Sequence, residues 1–249
     1  MALIAEQTGR AVHLLRWDVA RLAFDTPRIL ARYPEIGGVT HAAIRIAVGR
    51  WARAAVLRWH LGHPDPEHLL IGETPLVGER LMELARPRAD AVEPLLAGPA
   101  TIFLVPVPSR DVRRAIEAAR ARDMSAPAHA RDLASARPDL VRWHWDDLER
   151  VGAILGVASA AVPGDYDAEL YARVYERLLR HRRSLIVPLT RVLAAAGSPH
   201  EVKVGARELV PTATEVEAAI GAQMARPDNE VEAEAARWYA EGAAEVSGG

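Results

Sequence analysis

Two stretches constrain the fold most: HLLIGETPLVGERLMEL at 68–84 and TIFLVPVPSRDVRRAIEAAR at 101–120. Each opens with an apolar run of strand length, turns at a proline, and continues as a helical pattern. A strand whose residues are apolar in succession is buried on both faces, and a helix directly after it covers one of them. Repeated strand–helix order therefore predicts an α/β protein with a parallel sheet in three layers, helices on both faces.

The flanking sequence fits the same alternation. Residues 2–8 read as a short helical piece closed by Gly9. AVHLLRW (11–17) reads as a strand. Pro27, Pro34, Gly37 and Gly38 mark a turn-rich connection, after which Thr40 is placed to cap a helix with Ile44, Val48, Trp51, Ala55 and Trp59 on one stripe. Arg45, Arg50 and Arg53 fall off that stripe. The loop GHPDPE (62–67) ends the helix. The strand at 68–72 leads to a helix from about 76–78; the strand at 100–105 is ended by Pro106 and Pro108, and Ser109 caps the next helix. Residues 123–139 lack periodicity and read as a lid. Leu140–Leu155 reads as helix and Tyr166–Ala196 as a long helix bent near Pro188. EVKV (201–204) is a last strand, and Thr214 with Glu217 forms a capping box for a final helix. The expected layout is a core over 1–224 with the lid inside it, then an acidic, loosely docked helix and tail over 225–249.

Composition closes off several classes. A net charge of −2 disfavours a nonspecific nucleic-acid binder. The absence of Cys removes disulfides and thiolate metal sites. No apolar run reaches the roughly 18 residues of a membrane span, and MALIAEQTGR lacks a signal-peptide pattern. The expectation is a cytoplasmic protein with a small-molecule substrate and neither nucleic-acid nor membrane partners. The chain has a single Lys, Lys203; its other cationic side chains of that class are Arg.

In order and spacing, these units resemble the P-loop NTPase superfamily, specifically nucleoside and nucleotide kinases with an adenylate-kinase-like core. HLLIGETPLVGERLMEL is similar to the family's third unit, with Glu73, Pro75 and Arg80 at its acid, proline and arginine positions. TIFLVPVPSRDVRRAIEAAR is similar to the fourth, with Arg120 and Arg122 entering the lid. EVKV and TATEVEAAI are similar to the last. The first unit, a central strand ending in the Gly-rich loop and Lys that cradle ATP phosphates, has no counterpart; MALIAEQTGR resembles the remainder of its helix. The first strand is expected to be missing or replaced, with a gap between the third and fourth strands. Either Met1 is an internal Met of a longer protein or the clamp has been lost. What the resemblance implies is phosphoryl transfer from ATP–Mg²⁺ to a small hydroxyl or phosphate acceptor, such as a nucleoside, in a complete protein. For the sequence as written it implies inactivity with no tightly bound cofactor. The alternative is a catalytically dead relative that acts as a binding module.

On that reading Asp18 accepts the acceptor's proton, or else caps a turn. Glu73 holds Mg²⁺ through water, or else is a solvated loop residue. Arg16 and Trp17 flank the site, Trp17 either stacking a base or lying in the core. Arg45 and Arg53 line the acceptor pocket. Arg80 clamps a phosphate or makes a surface ion pair, and Arg120, Arg122 and Arg131 serve the lid. His60, His63 and His68 read as ordinary loop and strand-entry residues, because prolines separate them and no acidic ligand pattern recurs. Trp143 and Trp145 fall on different helix faces, so at most one is core.

Overall fold

A computed structural model of the chain describes residues 7–125, 138–157, 164–192 and 207–240. It is mixed α/β and forms two compact units, Met1–Leu96 with Val202–Gly249, and Ala97–Glu201. The expected strand at 200–204, Lys203, Arg131 and most of the expected lid lie outside the described residues. None of the described helices is long and apolar enough to cross a membrane.

In the first unit β1 (Ala11–Arg16) runs parallel to β2 (His68–Glu73), with Ala11 beside His68 and Arg16 beside Glu73. Residues 207–209 flank β1 on its other side: the Leu14 amide donates to the Arg207 carbonyl at 3.0 Å and the Leu209 amide to Leu14 at 2.8 Å. β1 turns directly into α1 (Trp17–Leu22), followed by α2 (Pro27–Arg32) and α3 (Ala42–Gly62). The predicted stripe of α3 is buried at Ile44, Val48, Trp51 and Ala55, but Ile46, Ala47 and Ala52 are buried as well. A helix apolar on most of its circumference belongs in a core, and α3 packs against α1, α4 (Met82–Ala85), α9 (Ala213–Met224) and α10 (Asp228–Ala236). It is capped by His41, whose Nδ1 accepts from the Ala43 amide at 3.2 Å, not by Thr40.

The helix expected after 76–78 is not continuous. Gly78 and Glu79 both take positive φ, 76° and 59°, and break it into a turn, α4 and α5 (Glu93–Ala97). The chain beyond 225 is not loosely docked through residue 240: Trp238 is fully buried, and its carbonyl accepts from Arg86 Nη2 at 2.9 Å.

In the second unit β3 (Phe103–Pro108) pairs in parallel with β4 (Ser184–Leu189). Both assignments correct the sequence reading. Pro106 and Pro108 lie inside the strand because the amides of Phe103 and Ser109 are the ones turned to β4, at 2.8 Å each. Residues of that parity donate to the partner strand, so the prolines' missing N–H groups fall on the outer edge, where a strand tolerates them. The long helix expected over Tyr166–Ala196 is α8 (Ala168–Leu178) followed by β4. Leu170, Val174 and Leu178 are buried as that pattern required, whereas Leu185 belongs to the strand and is exposed. The remaining helices are α6 (Arg110–Ser125), capped by the Ser109 hydroxyl, and α7 (Pro138–Ile154), on which Trp145 is buried and Trp143 exposed.

The parallel strands are thus present as two two-stranded sheets among the described residues, rather than as one continuous sheet.

Candidate functional site

The C-terminal edge of β1 and β2 gathers charge. The register sets Arg16 beside Glu73, and Asp18 follows in the first turn of α1. Glu73 has its carboxyl held above the ordinary carboxylate range, first by desolvation and then by the negative charge of Asp18, with Arg16 opposing. Its side chain keeps contact with solvent at the same time. Glu73, with the Asp18 charge beside it at the carboxyl ends of parallel strands, occupies the position where open α/β sheets bind ligands. The oxygen donors of Asp18 and Glu73 suit a hard cation such as Mg²⁺.

Arg16 is committed to structure. Its Nε donates to both Glu208 oxygens at 3.0 and 3.2 Å, and its Nη2 donates to Oε2 at 2.6 Å. Trp17 is buried in the core and offers no stacking face.

The expected pocket arginines are also engaged by protein. Arg45 donates to the Gly78 carbonyl. Arg53 is buried and binds Asp90 at 2.7 Å through both Nε and Nη2, Glu93 at 2.9 Å, and the carbonyls of Glu83 at 2.5 Å and Arg86 at 3.1 Å. That hydrogen bonding holds the Asp90 carboxyl below its usual range. Arg53 therefore fastens the 79–93 segment to α3; a substrate role for it is corrected. Arg80 donates from Nε to the Val77 carbonyl at 3.1 Å within its own turn. Arg120 and Arg122 are exposed on α6, in the other unit. A triphosphate clamp does not fit these arginines, since Arg16, Arg45, Arg53 and Arg80 already serve protein acceptors.

Sequence reasoning missed two features of the same unit. Glu79, Glu83 and Arg86 form a buried ionic cluster with the half-buried Arg88 at its edge: Arg86 donates to Glu79 at 3.1 and 2.9 Å and to Glu83 at 3.0 Å, while Arg88 donates to Glu83. Desolvation, partly offset by Arg86, lifts the Glu79 carboxyl to about 7. The signal lay in the spacing of acids and arginines across 79–93, where the expected regular helix would have scattered them.

The second is a group of three imidazoles, His13, His63 and His68, at the opposite end of β1 and β2. In sequence, His63 and His68 lie close to His60. The partner that completes them is His13, which only the strand register reveals. Desolvation, then the neighbouring His63 and His68, and then Arg207 hold His13 below the usual histidine range.

No family model, curated protein or solved structure matches the chain.

Proposed function

We propose that the chain is a P-loop-kinase-like α/β protein, with the three-layer arrangement of that superfamily, that binds a small polar ligand at the C-terminal edge of β1 and β2 instead of working as a phosphotransferase. The ligand class is the acceptor that the resemblance implies: a small molecule bearing hydroxyl groups, such as a nucleoside, with Mg²⁺ as a companion ion.

The observation that carries this reading is Glu73 at the end of β2, its carboxyl desolvated, with Arg16 paired to it across the strands and the Asp18 charge beside it in the first turn of α1. Two acceptor groups in such a place orient hydroxyl donors. The parallel pairing of β1 with β2 and of β3 with β4 is compatible with the parallel sheet that the resemblance implies.

Two observations favour binding over turnover. The 249 residues contain no Gly-rich loop ending in Lys, and Arg16, Arg45, Arg53 and Arg80 serve protein groups. The superfamily also sets its phosphate-loop strand beside the fourth strand, and here Pro106 and Pro108 remove donors from the outer edge of β3.

The test is an NMR titration of the chain with adenosine in the presence of MgCl₂. The expected result is saturable shifts at the amides of 16–19 and 72–74, lost in Glu73→Gln. Shifts confined to other segments, or identical shifts in the variant, would overturn the reading. Turnover of ATP by the chain alone would overturn its second half.

A further inference from the structure

We propose that His13, His63 and His68 form a binding site for a divalent first-row transition ion, Zn²⁺ by preference, with three imidazole nitrogens as ligands and the fourth position open to water.

The site is built by three elements. His13 is the third residue of β1 and His68 the first of β2. The parallel register pairs Ala11 with His68 and His13 with Leu70, so both histidines project from one face as diagonal neighbours. His63 is the residue that ends α3, and the turn 63–67 returns the chain directly to His68. The imidazole centroids lie 4.4 Å apart for His13 and His63, 4.5 Å for His63 and His68, and 5.2 Å for His13 and His68.

The ligand atoms are identified by what the other ring nitrogens do. His63 Nδ1 is 2.8 Å from the Trp59 carbonyl, an acceptor, so Nδ1 carries the proton and Nε2 keeps the lone pair. His68 Nε2 is 3.8 Å from Asp65 Oδ2, on the side away from His13, leaving Nδ1 as the inward nitrogen. His13 contributes Nε2, 3.0 Å from His68 Nδ1. The Trp59 carbonyl behind His63 is the outer partner that orients a histidine ligand on a metal, and the Asp65 carboxylate stands nearby on the outer side of His68.

The dimensions fit. With metal–nitrogen bonds of about 2.0–2.1 Å, two nitrogens on a tetrahedral ion lie about 3.3 Å apart. One ring nitrogen from each of the three histidines lies within 4.8 Å of the other two. Closing the widest gap takes about 1.5 Å, within reach of rotation about the side-chain bonds of half-buried rings. Three neutral imidazoles with no thiolate select Zn²⁺, Cu²⁺, Ni²⁺ or Co²⁺ over Mg²⁺ or Ca²⁺. Arg207 is the neighbouring cation and Asp65 the neighbouring anion. Bound metal would cross-link β1, β2 and the end of α3. Glu73 lies five residues beyond His68, and His13 is three residues, about 10 Å of strand, from the Arg16 that pairs with Glu73, so the two sites share no ligand and are tested by different variants.

The experiment uses the chain without a polyhistidine tag, stripped with chelator and titrated with Co²⁺, then Zn²⁺. The expected result is one equivalent of Co²⁺ with the intense visible bands of tetrahedral coordination, displaced by Zn²⁺. His63→Gln and His68→Gln should weaken binding by roughly 100-fold or more, the upper range for losing even an outer-shell partner. His60→Gln, exposed on α3, should leave it unchanged. X-ray absorption of the Zn²⁺-loaded wild-type chain should count three imidazoles, a reading that needs no variant to fold. Absence of saturable binding, equal affinity in the His63 and His68 variants, or fewer than three imidazoles on the metal would overturn the assignment.

Discussion

Arg16 grips Glu208 through Nε and Nη2, and the carboxylate side chain of Glu208 is wholly buried while Arg16 retains an edge in water. This pair ties the 207–209 segment to β1 beside the backbone bonds at Leu14. The asymmetry makes the two partners unequal. Arg16→Met strands a buried carboxylate and should cost about 2–3 kcal/mol of stability. Removing both charges in Arg16→Met with Glu208→Leu should recover much of that loss, because replacing a buried pair by apolar groups is often near neutral. Urea unfolding of the two single variants and the double variant checks this. If the double variant loses the full sum of the singles, the pair does not interact as described.

The Asp18–Glu73 relationship gives a prediction that does not depend on any ligand. Because the Asp18 charge raises the Glu73 proton affinity, Asp18→Asn should lower the Glu73 pKa toward the ordinary value without abolishing the larger contribution of desolvation. Carboxyl-detected NMR titration of Glu73 in both proteins reads this directly. A Glu73 titration that is unmoved, or moves upward, would show that the two carboxylates do not share a site.

What the sequence made legible follows from periodicity. The strands at 11–16 and 68–73 and the buried faces of α3 and α8 were readable, because each rests on apolar residues whose spacing has one structural solution. β4 was not. SLIVPL continues the apolar content of the preceding helix, and Pro188 read as a bend in that helix rather than as an edge-facing strand residue. Arg53 was misjudged for a related reason: its position on the helix wheel says polar, and only the acids at 90 and 93 returning beneath it make burial tolerable. The histidine trio depended on strand register, which pairs residues 55 apart in sequence. No local pattern reports that.

The start of α9 shows how two equivalent local signals are decided. Both Thr212-x-x-Glu215 and Thr214-x-x-Glu217 satisfy the capping-box pattern, the second being the one expected from sequence. The structure uses the first: the Thr212 amide donates to Glu215 Oε2 at 2.8 Å, and the Glu215 amide donates to Thr212 Oγ1 at 3.3 Å. Pro211 before Thr212 holds the chain outside the helix, and Glu215 is held further by Trp51 Nε1 at 3.4 Å and Arg58 at 2.5 Å. Thr212→Ala should therefore cost about 1 kcal/mol, whereas Thr214→Ala, at an exposed helical position, should stay within about 0.5 kcal/mol. Equal effects by thermal or chemical unfolding would place the cap elsewhere.

Glu79 carries the strongest pH prediction. It is buried with a positive φ, faces Arg86 from one side and the negative charges of Glu83 and Glu234 from others, and has its carboxyl raised to about 7. The folded protein then holds a proton at Glu79 that the unfolded chain has released, over the range between the ordinary value of 4.5 and about 7. Stability from this group is full below the lower value and is lost as pH rises through the upper one, with a slope of at most roughly 1.4 kcal/mol per pH unit. Glu79→Gln keeps an acceptor for Arg86 but cannot titrate. Its stability relative to wild type should therefore improve steadily between about pH 4 and pH 7.5, each limit being about half a unit beyond that window. Urea midpoints of the two proteins across this range are the measurement. A difference that is flat, or that moves against the variant as pH rises, would mean that Glu79 is ionised throughout and that Arg86 outweighs its burial.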